Sequence, residues 1–184
     1  MMSKNKFVQM LDRQRVDIVI GIDPDADRNG VATLNRESRQ LTADTMTFPD
    51  LLDYLRYMQA QATTAHHNLH VVIEAGWLNK THWHVSYNDS RQVAAAKGNA
   101  VGRNHETGRK IAEMCGHWGI GHELIKPLPL KVGGVNLWHG KDGKISAEEL
   151  TAVTGLKGRT NQEARDAALL TWIWAGLPTV ISIK

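Results

Sequence analysis

The sequence predicts an α/β fold, a mixed sheet with helices on its faces, and three observations predict it. Two apolar runs, residues 18–22 and 69–73, each end in an acidic residue and indicate buried strands. Turn signals after the first run indicate a hairpin meander. Helix-length amphipathic segments separate the later strands. The resulting order, βββαβαβαα, places three antiparallel strands before an alternating portion.

The first half of the chain is predicted to consist of strands around one helix. The apolar stripe of that helix contains Leu51, Leu55 and Met58, at helical spacing. In chain order, the predicted elements are a strand over 17–23, a turn over 27–30 with its Asn-Gly signal, strands over 30–34 and 40–47, a helix from Phe48 to about residue 63, and a strand over 69–74.

The second half is predicted to be mainly helical. Residues 77–98 are polar and are expected to be irregular, and 127–144 contain four internal glycines and are expected to form a loop. Ser146 and Glu149 form a capping-box pattern. The predicted elements are a helix from about Asn99 to Trp118, a strand over 122–125, helices over 147–153 and about 161–175, and a possible edge strand over 179–183.

Length and composition favour one globular domain over residues 1–184. The chain is 42% hydrophobic and 22% charged, which is ordinary for a water-soluble protein. No apolar run approaches the roughly 20 residues of a membrane-spanning helix. The polar first residues have no apolar signal-peptide core, so a cytoplasmic location is expected.

Charge and cysteine content narrow the choice of partners and chemistry. Residues 91–184 carry 13 basic and 8 acidic side chains, whereas residues 1–90 carry 9 and 11. A basic second half is compatible with binding a polyanion. Cys115 is the only cysteine, which excludes an intrachain disulfide, and it is expected to pack as a small apolar residue.

Four acidic residues form the candidate catalytic site. Asp23 and Glu74 end the two apolar strands, and Glu163 and Asp166 lie one turn apart on one helix face. A carboxylate at the end of a buried strand is costly unless it is paired or holds a cation. Carboxylates suit Mg²⁺, and two such ions about 4 Å apart support phosphodiester cleavage.

Simpler interpretations remain open for each acid. For Asp23 the alternative is a residue that ends its strand in an Asp-Pro turn, and Glu163 fits a capping box with Thr160. For Asp166 the alternative interpretation is a surface ion pair with Arg165 or with a nearby lysine. Asp25 and Asp27 are interpreted as turn residues, and the alternative for Asp25 is that it reaches the acidic site. The nine histidines form no firm metal-ligand set, although one near the acids could assist proton transfer.

Three motifs occur together in one order. They are Ile20-Gly21-Ile22-Asp23-Pro24, Val72-Ile73-Glu74, and the run from Glu163 to Leu169. With them the chain resembles the RuvC-type Holliday junction resolvases of the RNase H-like nuclease superfamily, as a divergent or phage-like member. It departs from the family in Asp25-Ala26-Asp27, where glycine and small residues are usual, and in Glu163, where aspartate is common.

The resemblance implies a five-stranded RNase H-like sheet and a homodimer that pairs through residues 99–118. It also implies that Asp23, Glu74, Glu163 and Asp166 bind two Mg²⁺ ions, for which we expect Mn²⁺ to substitute. Trp77 would stack on a base opened at the junction. The alternative for Trp77 is a rim residue that packs on the following helix.

A set of basic residues is predicted to face DNA and to contact phosphates without reading sequence. For any one of them, a solvated surface charge is the alternative. The predicted DNA-binding lysines and arginines are Lys97, Arg103, Lys126, Lys131, Lys144, Lys157 and Arg159, with Arg109, Lys110 and Lys141 nearby.

The main hypothesis is therefore a homodimeric, Mg²⁺-dependent endonuclease that resolves Holliday junctions in branched DNA by paired nicks. A second hypothesis keeps the fold but changes the substrate to RNA, an RNA–DNA hybrid or a nicked duplex. A third is a junction-binding module without catalysis, against which the retained acids argue.

Overall fold

A computed structural model describes residue 13 and residues 15–79 and 88–179. The strands of its main sheet are β1 Ile18–Asp23, β2 Asn29–Asn35, β3 Gln40–Met46, β4 Leu69–Glu74 and β5 Gly121–Ile125. The helices with bounds in the described part are α1 Phe48–Thr64, α2 Arg91–His117, α3 Ala147–Thr154 and α4 Gln162–Trp174. A small hairpin of β6 Lys131–Val132 and β7 Val135–Asn136 lies between β5 and α3.

The main sheet has five strands in the order β3-β2-β1-β4-β5. β1, β2 and β3 are antiparallel neighbours, whereas β1, β4 and β5 are parallel. The predicted mixed five-stranded sheet is thus confirmed. Because β1 and β4 run in parallel with Ile22 beside Ile73, Asp23 and Glu74 come next at the same edge of the sheet.

Helices cover both faces of the sheet, as predicted. α3 and α4 bury one face, where Val19, Leu34 and Val72 meet Leu170 and Trp172. α1 and α2 bury the opposite face in a separate cluster, whose members include Ile20, Ile22, Val71, Leu55 and Ile111. Burial on both faces explains why β1 and β4 are continuous apolar runs rather than alternating ones.

Two glycines bring α4 unusually close to the sheet. A Cβ atom on Gly21 in β1 would lie 2.0 Å from Thr171 Oγ1 of α4. A Cβ atom on Gly30 in β2 would lie 2.0 Å from the backbone oxygen of Glu163. Both positions therefore need a residue without a side chain, and their contacts place α4 over β1 and β2, with its first turn on Gly30.

The Asn-Gly turn prediction is wrong. Asn29 and Gly30 are the first residues of β2, and the turn lies before them. Asn29 is completely buried, and its side-chain oxygen accepts a hydrogen bond from the Asp25 backbone. Gly30 is required by the approach of Glu163 rather than by a turn.

Two other segments contain more regular structure than predicted. α2 begins at Arg91 instead of about residue 99, because the Ser90 side chain caps it by accepting from Val93 N. The predicted loop over 127–144 includes the β6–β7 hairpin and a 3-10 turn over Lys141–Gly143. The possible C-terminal strand lies, apart from Thr179, outside the described residues.

The remaining predicted elements agree with the structure to within a few residues. The Ser146–Glu149 capping box at α3 is present with both of its hydrogen bonds. Across the described ranges, no helix combines the length and apolar character that a bilayer crossing needs.

Candidate metal-binding and nuclease site

All four predicted acids line one cavity of about 490 Å³ at the edge of the sheet. Asp23 and Glu74 reach it from the ends of β1 and β4. Glu163 and Asp166 reach it from the first turns of α4, which Gly21 and Gly30 hold against the sheet. Segments far apart in the sequence thus bring their carboxylates to one place.

The start of α4 is fixed by Asn161 rather than by Glu163. The Asn161 side chain accepts a hydrogen bond from Ala164 N and caps the helix. Thr160 lies outside the helix, so the interpretation of Glu163 as the capping-box partner of Thr160 is wrong. Glu163 is therefore one of the acids that line the cavity.

Asp166 has two hydrogen-bond partners within the site. Lys144 Nζ donates to Asp166 Oδ2 at 2.5 Å, and Gln162 Nε2 donates to Oδ1 at 2.7 Å. Arg165 does not pair with Asp166, because it donates to Gln162 Oε1 and to the Thr160 backbone. Only 17% of the Asp166 side chain is exposed, so this ion pair belongs to the cavity and not to the open surface.

Burial and like charge act on the two strand-end acids in the same direction. Burial first, and then the charges of Glu74 and Asp166, raise the pKa of Asp23 well above its usual value. Burial and the charge of Asp166 raise the pKa of Glu74 to about 7, although Lys144 opposes the shift. These groups are held together at an electrostatic cost that a cation would relieve.

Lys144 is the counter-charge that the site contains. Burial lowers its pKa, but the hydrogen bond to Asp166 and the charges of Asp166, Asp23 and Glu74 raise it more. The sequence predicts Lys144 to lie on a DNA-facing surface. Its ion pair with Asp166 joins residues 22 positions apart, so no local pattern could have revealed it.

The residues present fit a hard divalent cation by their chemistry. The cavity offers carboxylate oxygens, which Mg²⁺ prefers, and burial together with like charge raises the pKa of Asp23 and that of Glu74. Within the described ranges, no three His, Cys, Asp or Glu side chains could hold an ion as they stand. Binding therefore requires side-chain rearrangement, with displacement of Lys144 from Asp166 as the obvious first change.

The loop after β1 is tied to helix α2. Asn104 accepts a hydrogen bond from Ala26 N and donates to Asp25 Oδ2. Asp25 Oδ1 accepts from the backbones of Asp27 and Arg28, which confirms Asp25 as a turn residue, and Asp25 also lines the cavity. No sequence pattern indicates Asn104, whose contacts hold the loop that follows Asp23.

Trp77 packs on the helix that follows it. It lies in a 3-10 turn just after β4, and its ring approaches Gly108 so closely that a Cβ there would be 2.6 Å away. His105 meets the ring edge-on and the Arg109 guanidinium covers it at 5.2 Å. These are the contacts of the rim alternative, and base stacking by Trp77 stays a prediction.

The predicted DNA-facing residues differ in their surroundings. Arg103 forms an exposed ion pair with Asp27, and Lys97 pairs with Asp89. Arg109 and Lys110 pair with acids one turn away on α2. The remaining residues are exposed: Lys126 and Lys131 flank the cavity-lining segment 127–130, and Lys157 and Arg159 precede α4. Their DNA contacts stay a prediction.

The thiol and the histidines add little to the cavity chemistry. Cys115 is buried in the core, where burial raises its pKa to about 11, so it packs as an apolar residue as predicted. His105 is the histidine that lines the cavity among the described residues. His82 and His84, with Trp83 and Tyr87, lie outside the described residues.

Comparison with known proteins finds similarity in solved structures alone. No protein-family model and no curated protein matches the chain. A Thermus thermophilus RuvC in complex with a Holliday junction substrate is 15% identical, with 86% of this chain and 94% of that chain covered and a TM-score of 0.48. A second T. thermophilus RuvC structure is 16% identical, with 86% and 95% covered and a TM-score of 0.43. Both are named for the family that the three motifs resemble.

Proposed function

We propose that this chain is a Mg²⁺-dependent endonuclease that cleaves branched DNA, with the four-way Holliday junction as its substrate. The observation that carries the proposal is the meeting of Asp23, Glu74, Glu163 and Asp166 in one cavity where burial and repulsion raise carboxylate pKa values. The junction as substrate follows from the resemblance of the three motifs, because the cavity chemistry by itself indicates phosphodiester hydrolysis without choosing the nucleic acid.

In this proposal Asp23, Glu74, Glu163 and Asp166 hold the divalent ions, with Mn²⁺ as a substitute for Mg²⁺. When bound, such ions activate water and stabilise the leaving oxygen. Gln162 keeps hold of one Asp166 oxygen, and Arg165 in turn holds Gln162. Lys144, released from Asp166, remains beside the cavity as a cation for the scissile phosphate.

The surroundings of the cavity have roles in the same proposal. Lys126, Lys131, Lys157 and Arg159 contact DNA phosphates from exposed positions, and Lys97 and Arg103 contribute from α2. Trp77 stacks on an opened base after the Arg109 guanidinium moves from its ring. We also propose a single-domain cytoplasmic protein that works as a homodimer through α2, since two subunits would nick two strands symmetrically.

The test is cleavage of a synthetic four-way junction by wild type and by Asp23→Asn. The variant is expected to bind the junction and to lose cleavage, because an amide neither carries the charge nor replaces the ligand. Asp53→Asn is the matched control, since Asp53 is exposed on α1 away from the cavity. If Asp23→Asn cuts as fast as Asp53→Asn, the proposal fails.

Competition among substrates separates the remaining candidates. A linear duplex, a nicked duplex and an RNA–DNA hybrid are added in excess to the junction reaction. If the RNA–DNA hybrid suppresses junction cleavage and excess linear duplex does not, the substrate would be RNA or a hybrid instead of the junction. Junction binding without cleavage in Mg²⁺ or Mn²⁺ would favour a binding module.

A further inference from the structure

The β6–β7 segment is a regular β-hairpin with a tight two-residue turn. Val132 pairs with Val135 across a two-residue turn of Gly133 and Gly134, both of which have positive φ angles. This is the requirement of a type I′ turn, which matches the twist of paired strands. Leu137 N donates to the Leu130 backbone oxygen and extends the ladder toward the stem.

The two faces of this hairpin differ in character. Residues paired across an antiparallel ladder share a face, so Val132 and Val135 lie on the same side. They are 61% and 71% exposed, the largest values among the large apolar side chains of the described residues. On the other face Asn136 lies against Gly143, where a Cβ atom would be 3.1 Å from its side chain. The stem is therefore braced, and the apolar tip faces solvent.

The exposed hairpin tip contributes little to the stability of the folded chain. A two-stranded hairpin is marginally stable by itself, and solvent-facing valines contribute no burial. Contiguous exposed apolar surface in soluble proteins commonly marks a binding site. A braced stem with an unburied tip thus indicates that the tip meets its partner outside the subunit.

The position and charge of the hairpin indicate which partner. The segments on both sides of it, residues 127–130 and Trp138, line the carboxylate cavity. Residues 126–144 contain four lysines, at 126, 131, 141 and 144, and one acid, Asp142. A second copy of this chain would bring like charge against like charge. A polyanion whose phosphates meet the lysines is the complementary occupant.

We propose that the tip of the 131–136 hairpin is an apolar wedge that packs against exposed base faces at the branch point of the DNA bound in the cavity. Side chains such as valine and leucine can enter where base stacking is interrupted, and a branch point interrupts stacking without the cost of opening a duplex. This proposal rests on the proposed function and adds the element that distinguishes branched from continuous DNA.

The experiment compares binding of branched and linear DNA without cleavage. A four-way junction that carries 2-aminopurine beside the branch point, and a linear duplex of the same sequence, are titrated in EDTA. The variant is Val132→Thr/Val135→Thr, which keeps β-branched shape and strand preference but makes the tip polar. Tyr57→Gln, which makes an exposed apolar side chain of α1 polar, is the control.

The double variant is expected to lose about tenfold in junction affinity and the 2-aminopurine fluorescence change, with linear-duplex binding unaltered. Val135→Phe enlarges the apolar tip and is expected to raise junction affinity by about threefold. Unaltered linear-duplex binding also shows that the variants are folded.

Two outcomes overturn the inference in different ways. If wild type distinguishes and cleaves junctions but the double variant binds them like Tyr57→Gln, the wedge is wrong and the proposed function stands. A change in sedimentation of the double variant from dimer to monomer would then identify a second copy as the occupant. If wild type binds junctions no better than linear duplex, the proposed function and the wedge fail together.

Discussion

The two ends of the parallel strands hold two polar clusters that are built in opposite ways. At the starts of β4 and β5, Glu123 accepts hydrogen bonds from Arg13 at 2.6 Å and from Trp174 at 2.7 Å. His70 stacks on the Trp174 ring at 5.0 Å, and the Arg13 guanidinium also lies over that ring. The Glu123 carboxylate is thus satisfied by the Arg13 and Trp174 donors, whereas the buried Nε2 of His70 has no hydrogen-bond partner among the described residues.

At the other end of the strands, negative charge exceeds its partners. The cavity gathers Asp23, Glu74, Glu163 and Asp166, and Lys144 is hydrogen-bonded to only the last of these. The pKa of Asp23 and that of Glu74 are raised, as expected for carboxylates that repel one another in a buried place. In a cluster that stabilises the fold the charges are paired, whereas a ligand-binding site commonly leaves charge uncompensated.

The largest difference between the two ends is expected from neutralising one glutamate in each. Glu74→Gln removes a repelled carboxylate, so it should stabilise the metal-free protein by roughly 2 kcal/mol at pH 8. It should also lower junction cleavage by about a hundredfold or more. Glu123→Gln weakens a partly exposed ion pair and should cost about 1 kcal/mol or less while leaving cleavage unchanged.

Urea unfolding in EDTA and single-turnover cleavage in Mg²⁺ measure the two properties separately. If Glu74→Gln destabilised the metal-free chain as Glu123→Gln does, Glu74 would be a structural residue whose charge is compensated, and the contrast between the two ends would be wrong.

The next effect concerns how the cavity end is assembled. Gly30→Ala places a Cβ against backbone atoms of Glu163, and these cannot move aside as the end of a flexible side chain could. Overpacking of this kind costs about 1–3 kcal/mol, and the shift of α4 should slow cleavage as well. Gly98→Ala in α2 meets nothing within 4 Å and should be neutral or slightly stabilising.

Thermal unfolding and cleavage of both variants test this point. A Gly30→Ala protein with wild-type stability and cleavage would show that the contact between β2 and α4 does not determine where Glu163 lies.

The sequence predicted those parts that depend on local pattern and on topology. The apolar runs located β1 and β4, and parallel pairing then brought Asp23 and Glu74 to one edge. The long-range contacts were not predictable in this way. The ion pair of Lys144 and the approach of Gly30 to Glu163 join segments that no periodicity relates.

Some misses did have a local signal. The Asn29-Gly30 pair was interpreted as a turn, although its burial as β2 depends on contacts with α4 and β3. The valines around Gly133-Gly134 match a hairpin pattern, yet the abundance of glycine favoured a loop. Ser90 ahead of a run of alanines was a helix start that the polar neighbours obscured.

The stability of the two ends should also depend on pH in opposite directions. Glu74 has its pKa raised to about 7 from 4.5, so the folded metal-free protein binds a proton that the unfolded chain has lost. Its stability should therefore fall as pH rises between those values. Burial lowers the pKa of His70 from 6.5, so its contribution should be lost as pH falls below 6.5.

Unfolding free energies in EDTA across pH 4.5–8.5 give both slopes. Glu74→Gln should reduce the loss on the alkaline side, and the remainder belongs to Asp23, whose pKa is also raised. His70→Phe, which keeps a ring on Trp174, should remove the loss on the acid side. A Glu74→Gln profile parallel to wild type would contradict the assignment of the raised pKa.

The central claim is that the unsatisfied carboxylates at the end of β1 and β4 form a site for hard cations. Anomalous diffraction from crystals soaked in Mn²⁺ tests it most directly. The account predicts manganese bound by Asp23, Glu74 and Asp166, with Lys144 turned away from Asp166. Crystals at saturating Mn²⁺ in which Lys144 still holds Asp166 and no manganese touches these carboxylates would contradict it.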